Sequence, residues 1–103
     1  MLEAVAQVQA YTRGMDLESF EANDVVVDAV LYRISVIGEA ARAIPDNIKT
    51  QHTTIAWRSV QGMRNRLVHE YFGVRVETVW QTVESDLPDL AHQLEMLLRD
   101  AEE

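Results

Sequence analysis

The sequence has no cysteine, two prolines and four glycines among its 103 residues. Without cysteine, the chain can form neither a disulfide framework nor a thiolate metal ligand or nucleophile. No apolar run approaches the roughly 18 residues of a membrane-spanning helix. Glu3 and the lack of a basic flank at the N-terminus argue against a secretory signal. We therefore expect a cytoplasmic protein.

Several kinds of site are also missing from the sequence. There is no glycine-rich phosphate loop and no serine nucleophile elbow. The histidines at 52, 69 and 92 have no pair at the i, i+4 spacing of a helical metal site. We therefore predict no metal site. The length and the 48% hydrophobic content predict one globular domain over residues 1–103.

Charge is distributed unevenly along the chain, whose net charge is −8. Residues 1–30 carry −5 and residues 76–103 carry −7, whereas residues 31–75 carry +4. Phosphate binding depends on the local field, so the middle segment is the part suited to face an anion. Arginines on solvated faces, or paired with acidic neighbours, would give the same pattern. Charge alone favours that second interpretation.

Apolar residues recur at helical spacing throughout, which predicts an all-α protein. We expect a first helix from about Leu2 to Arg13, stopped by Gly14. Asp16 can cap a short turn through Phe20, and Asn23 is the predicted N-cap of a long second helix that ends at Pro45. The apolar residues of this second helix follow a 3, 4, 3, 4, 3 spacing that needs a partner helix along its whole length: Val27, Val30, Ile34, Ile37, Ala41 and Ile44.

The second half of the chain continues the helical pattern. Residues 45–54 form a polar connection without a clear period. A third helix is predicted from Ile55 or Ala56 to Phe72, with Gly73 just beyond its end. A last helical region begins near Arg75, and Pro88 either kinks it or opens a separate helix. Short connections favour an antiparallel bundle of four to five helices.

The third helix carries the side chains best suited to chemistry. Asn65 and His69 are four residues apart and would share a helix face, with Arg64 and Tyr71 close to it. Histidine can transfer protons near neutral pH. Arginine offers a planar fork to phosphate oxygens where negative charge develops. Such a group needs no metal if the substrate brings its own nucleophile, as RNA does with its 2′-hydroxyl.

The pattern Arg64–Tyr71, followed by Phe72-Gly73-Val74, resembles the R-x4-H-x-Y motif of HepT-like proteins in the HEPN superfamily. Other segments fall where that family has its sequence features, and the resemblance covers nearly the whole chain. They are Tyr11–Met15, Ile37–Ala41, Trp57-Arg58, Gly62-Met63 and Asp86–Pro88.

The resemblance implies a HEPN-like helical bundle that forms a homodimer across its long helices, with motif residues of both subunits lining a cleft. It also implies a metal-independent endoribonuclease, the toxin of a toxin–antitoxin pair, whose substrate is tRNA or mRNA. His69 would be the acid/base for attack by the 2′-hydroxyl. Arg64 would neutralise the phosphate, and Asn65 would orient the phosphate or His69.

The family also implies a partner, the minimal nucleotidyltransferase MntA, which resembles an antitoxin and transfers AMP to the motif tyrosine. That residue is Tyr71 here. ATP would be used by the partner, so no cofactor is expected for this chain. Arg58, Arg66 and Arg75 would contact either RNA or the acidic surface of the partner.

Two other interpretations are compatible with the sequence. The chain could be a non-catalytic helical module that presents Tyr71 and a nucleotide-binding surface to the transferase. It could also be a dimeric scaffold in which Arg64 and His69 satisfy each other structurally.

Overall fold

The computed structural model describes residues 1–69 and 73–102, with His69 and Glu102 described by their backbone. Helices account for most of this part of the chain, which confirms the expected all-α, HEPN-like fold. The helices are α1 (Leu2–Thr12), α2 (Leu17–Glu21), α3 (Asp24–Ala43), α4 (Asp46–Gln51), α5 (Trp57–Gln61), α6 (Met63–Leu67), α7 (Val76–Gln81) and α8 (Leu87–Glu102). A two-stranded antiparallel ladder joins β1 (Val68–His69) to β2 (Gly73–Val74), and a π-helical turn spans Thr82–Asp86.

The boundaries of the first three helices follow their capping residues, as predicted. Gly14 adopts a φ of +78° directly after α1, a conformation that side chains other than glycine rarely adopt. The Asp16 carboxylate accepts the Ser19 backbone N–H at 2.8 Å to cap α2, and this bond lowers the pKa of that carboxyl. Asn23 caps α3 by accepting the Val26 N–H at 3.1 Å.

The long helix α3 is the centre of the hydrophobic core. Val30, Ile34, Ile37 and Ala41 are fully buried. The partners of this apolar face are α1, α5 and α6 of the same chain. The sequence indicated a partner helix correctly, but that partner is internal. The apolar face of α3 therefore does not argue for a dimer.

Two predictions for the middle of the chain are wrong. Residues 45–54 contain a short helix, α4, directly after Pro45, which fits the fixed φ of proline near a helix start. The predicted third helix does not run through to the motif histidine. It is interrupted at Gly62, and it ends at Leu67.

The end of α6 has a local cause. Val68 is extended and lies opposite Val74, and β-branched side chains favour strands. The Leu67 carbonyl accepts the Arg75 N–H at 3.0 Å, a donor on the returning chain. In a continuing helix, that carbonyl would instead bond to the residue four positions on. Gly73 therefore lies in a strand with a φ of +79° and does not cap a helix.

Pro88 distorts a continuous helical region and does not open a separate helix, because α7, the π-helical turn and α8 follow one another without a gap. It cannot donate a backbone hydrogen bond, and its ring crowds the carbonyl four residues earlier. The π-helical turn at Thr82–Asp86 immediately precedes α8, in which Pro88 is the second residue. The wider π-helical turn gives the proline ring more room beside the carbonyl four residues earlier, with which it would clash in a regular α-helix.

Among the described residues, none of the helices is both long and apolar enough to cross a membrane.

We predict that Asn23→Ala lowers the free energy of unfolding by about 1 kcal/mol, because the first turn of α3 loses its side-chain acceptor. Chemical denaturation of purified protein measures the change. Asn23→Asp retains an acceptor oxygen and should lie within a few tenths of a kcal/mol of wild type. Equal losses in both variants would contradict the capping role.

Candidate active site

Arg64 and Asn65 lie on α6 with both side chains exposed to solvent. An Arg64 Nη1–H group points to the Asn65 Oδ1 atom at 3.4 Å, which is a long hydrogen bond. In the described part of the chain the only ion pair joins Arg42 to Glu39, so Arg64 has no carboxylate partner there. No carboxylate of the described residues therefore competes with an anion from solution for this guanidinium.

The position of α6 depends on a close approach between α3 and α5. A Cβ atom added at Gly38 of α3 would lie 3.1 Å from the Gln61 carbonyl oxygen and 3.5 Å from that of Val60. Only glycine accepts this approach without displacing a neighbour. The contact places the start of α6, and with it Arg64 and Asn65, directly against the exposed edge of α3.

Arg64 borders two grooves on α3. The first, of about 190 Å³, is polar, and its lining residues come from α3 (Ser35, Gly38, Glu39, Arg42) and from α5 and α6 (Gln61, Arg64, Asn65). The second, of about 360 Å³, is more apolar and is lined by Asp28, Leu31, Tyr32, Ser35, Arg64, Val68 and Val74. Because Ser35 and Arg64 border both, the two grooves flank one arginine.

The strand pair that contains the His69 backbone contributes to the wall of the second groove. Val68, the neighbour of His69 in β1, lines that groove, and so does Val74, which pairs with Val68. His69 itself pairs with Gly73. The predicted i, i+4 stacking of Asn65 and His69 on one helix is therefore wrong, because α6 ends between them. Tyr71 lies outside the described residues.

The other three candidate arginines occupy different places. An Arg66 Nη1–H group donates to the Ser59 carbonyl at 2.8 Å. Arg66 lines a separate groove of about 330 Å³ that also contains Asp86 and Asp89. Arg58 is exposed on α5, and Arg75 is exposed just before α7. The structure thus brings Arg64 and Asn65 together and directs Arg66 elsewhere.

Sequence reasoning missed the α3 wall of the polar groove. Ser35, Gly38, Glu39 and Arg42 have the spacing i, i+3, i+4, i+7, which places them on one face of a helix. The signal was present as a polar stripe beside the apolar one. Its importance depends on which other element packs beside it, and the spacing does not give that.

Within residues 1–69 and 73–102, no three His, Asp or Glu residues lie close enough together to hold a metal ion.

Comparison with known proteins identifies the family. The family model for HepT-like ribonucleases matches residues 1–97. The chain belongs to the HepT-like ribonuclease family. This membership confirms the resemblance drawn from the motif and the expected ribonuclease class.

Several similar chains carry ribonuclease names. "Probable ribonuclease HepT" of Thermococcus cleftensis is 38% identical over 95 residues, which cover 92% of this chain and 86% of that protein. "Putative RNase MJ0125" of Methanocaldococcus jannaschii is 38% identical over 93 residues, or 90% and 80% of the two chains. "Putative RNase TTE0752" of Caldanaerobacter subterraneus subsp. tengcongensis is 32% identical over 87 residues, or 84% and 78%. No solved structure matches significantly.

We predict that Gly38→Ala destabilises the protein despite the better helix propensity of alanine. The propensity change alone would add about 1 kcal/mol to the free energy of unfolding. The 3.1 Å contact with a helix carbonyl adds an overpacking cost of about 1–3 kcal/mol, so a net loss is expected. Chemical denaturation provides the measurement.

A pair of variants at the exposed Asp28 of α3 serves as the control. Comparing Asp28→Ala with Asp28→Gly gives the propensity difference where no neighbour is crowded. If Gly38→Ala raised the free energy of unfolding by as much as alanine exceeds glycine at position 28, the prediction would be contradicted. The added methyl group would then be accommodated between α3 and α5 without loss of stability.

Proposed function

We propose that the chain is a metal-independent endoribonuclease, the toxin of a toxin–antitoxin pair, with Arg64, Asn65 and His69 at its catalytic centre. The observation that carries the proposal is the position of Arg64. It is exposed, it has no carboxylate partner in the described residues, and it stands between two grooves. One of these grooves is lined in part by Val68 and Val74, which belong to the strand pair that contains the His69 backbone.

The proposed reaction uses the nucleophile that RNA supplies. His69 accepts the proton of a ribose 2′-hydroxyl, and the 2′-oxygen forms a bond to the adjacent phosphorus. The bond from phosphorus to the 5′-oxygen breaks, and that oxygen takes up the proton that His69 removed, so His69 returns to its starting protonation state. The products are a 2′,3′-cyclic phosphate and a 5′-hydroxyl. The atoms balance without water or a metal ion in this step.

Arg64 would act where negative charge accumulates. The phosphorus gains a fifth oxygen ligand in the transition state, and a fixed guanidinium stabilises the added charge. Asn65 would hold the phosphate or orient His69, since its amide can both donate and accept a hydrogen bond. The long contact from Arg64 to the Asn65 Oδ1 is weak enough to be exchanged for a phosphate oxygen.

A homodimer across the outer face of α3 forms part of this proposal. Val25 is 77% exposed and Tyr32 is 62% exposed. These exposed fractions are high for an apolar and an aromatic side chain on a helix. Tyr32 also lines the groove that reaches Arg64. A second subunit packed there would bring two sets of motif residues to one cleft.

Silencing by a minimal nucleotidyltransferase of the MntA type completes the proposed system. The Tyr71 hydroxyl would attack the α-phosphate of ATP, forming a bond to phosphorus while pyrophosphate leaves and the hydroxyl proton is lost. The added phosphate would carry negative charge on the same motif that contains Arg64. It would then compete with RNA for the same guanidinium.

We predict that purified, unmodified protein cleaves RNA in EDTA and leaves 2′,3′-cyclic phosphate ends. Arg64→Ala should lower kcat/KM by about 100-fold or more, as the loss of a transition-state charge partner does. His69→Ala should abolish cleavage within detection, because the proton acceptor is gone. Gel analysis of tRNA and mRNA, with chemical typing of the new ends, measures both effects.

Two controls separate chemistry from charge. Arg64→Lys keeps the positive charge but loses the planar fork, so it should fall between wild type and Arg64→Ala. Arg99→Ala removes an exposed arginine from the last turn of α8 and should cleave as wild type does. Intact RNA in the presence of folded wild-type protein would instead favour the non-catalytic binding module.

We also predict that co-expression with the cognate transferase adds AMP units to wild-type protein and none to Tyr71→Phe. Intact mass spectrometry measures the modification, and Tyr11→Phe is the control because Tyr11 lies on α1 and borders neither groove. AMP found on Tyr71→Phe would place the modification elsewhere.

A further inference from the structure

We propose that the polar groove between α3 and α6 binds a second phosphate of the RNA strand, through Arg42. This inference rests on the proposed ribonuclease function. It adds a substrate contact on α3 to the contacts expected from the motif. The ligand is a phosphodiester group one or more nucleotides away from the bond that is cleaved.

The groove has polar groups on both walls. Arg42 lies on the α3 wall, and Arg64 lies on the α6 wall. Gln61 and Asn65 add amide donors beside Arg64. Two guanidinium groups that border one groove can each take a phosphate oxygen of the same strand.

The size of the groove limits what can enter it. Its volume of about 190 Å³ lies below the roughly 300–1,000 Å³ of sites that enclose a whole small molecule. A phosphate with part of its ribose fits this space better than a stacked base does. The contact would therefore position the strand without reading its sequence.

Glu39 controls the availability of Arg42. The Arg42 Nη1 atom lies 2.9 Å from the Glu39 Oε1 atom, with the two side chains 59% and 74% exposed. Exposed ion pairs of this kind contribute little to stability and are screened by salt. Arg42 can thus exchange the carboxylate for a phosphate oxygen. Glu39 would hold the guanidinium at the groove while RNA is absent and oppose RNA by its charge.

The test measures binding of an eight-nucleotide 2′-O-methyl RNA, which cannot be cleaved because its 2′-oxygen carries no proton. Affinity is measured by fluorescence anisotropy at several salt concentrations. The logarithm of the binding constant falls linearly with the logarithm of the salt concentration, and the steepness of this line is the salt slope. Loss of one phosphate contact lowers the salt slope by about 0.7, which corresponds to about fivefold weaker binding at 0.1 M salt. We expect both changes for Arg42→Gln. Glu39→Gln should bind RNA severalfold more tightly than wild type.

Matched controls come from α8, where Glu95 and Arg99 are exposed. Glu95→Gln and Arg99→Gln change the net charge of the protein by the same amounts as the two groove variants. An Arg42→Gln protein with the slope and affinity of Arg99→Gln would overturn the inference. So would a Glu39→Gln protein that binds no more tightly than Glu95→Gln. The Glu39 comparison stands by itself if Arg42→Gln fails to fold.

The outcome is independent of whether the protein cleaves RNA. Binding that depends on Arg42, together with no cleavage of ordinary RNA, would support the groove and overturn the nuclease mechanism. Cleavage that depends on His69, together with binding indifferent to Arg42, would overturn the groove alone.

Discussion

The close packing of α5 against α3 at Gly38 is the contact on which the candidate site depends. Gly38 has no side chain, so the Gln61 carbonyl oxygen can approach α3 closely. A Cβ atom at position 38 would lie only 3.1 Å from that oxygen. The following helix, α6, then begins at the edge of α3 and not a full side-chain layer away. Both grooves that border Arg64 are bounded by α3, so their width is set by this packing.

Helix α3 serves two purposes with two adjacent faces. Its apolar face is buried against α1, α5 and α6 and supplies much of the core. Its polar stripe from Ser35 to Arg42 remains at the surface and forms a wall of the small groove. Because both faces belong to one rigid helix, the core that stabilises the fold also fixes the position of the polar groups.

The fold determines where the arginines of the basic middle segment lie. The acidic first and last segments carry charge of the same sign as a phosphate, while the basic middle segment contains both groove arginines. Not every arginine in that segment faces the same way. Arg66 bonds to the Ser59 carbonyl and borders a groove with Asp86 and Asp89, so the local field there differs from that around Arg64.

The sequence by itself determined the helical class, the first three helices and the HepT-like family. Caps such as Asp16 and Asn23 and the apolar spacing of α3 act locally, within one or two turns, and the motif is a local pattern too. Only the tertiary structure decided that α3 finds its partners within the chain and that α6 ends at Leu67. Arg42 is brought beside Arg64 by the same packing. The packing of α3 depends on contacts between residues far apart in sequence, such as Gly38 with Gln61, and the end of α6 depends on the pairing of Val68 with Val74; helical periodicity carries no information about either.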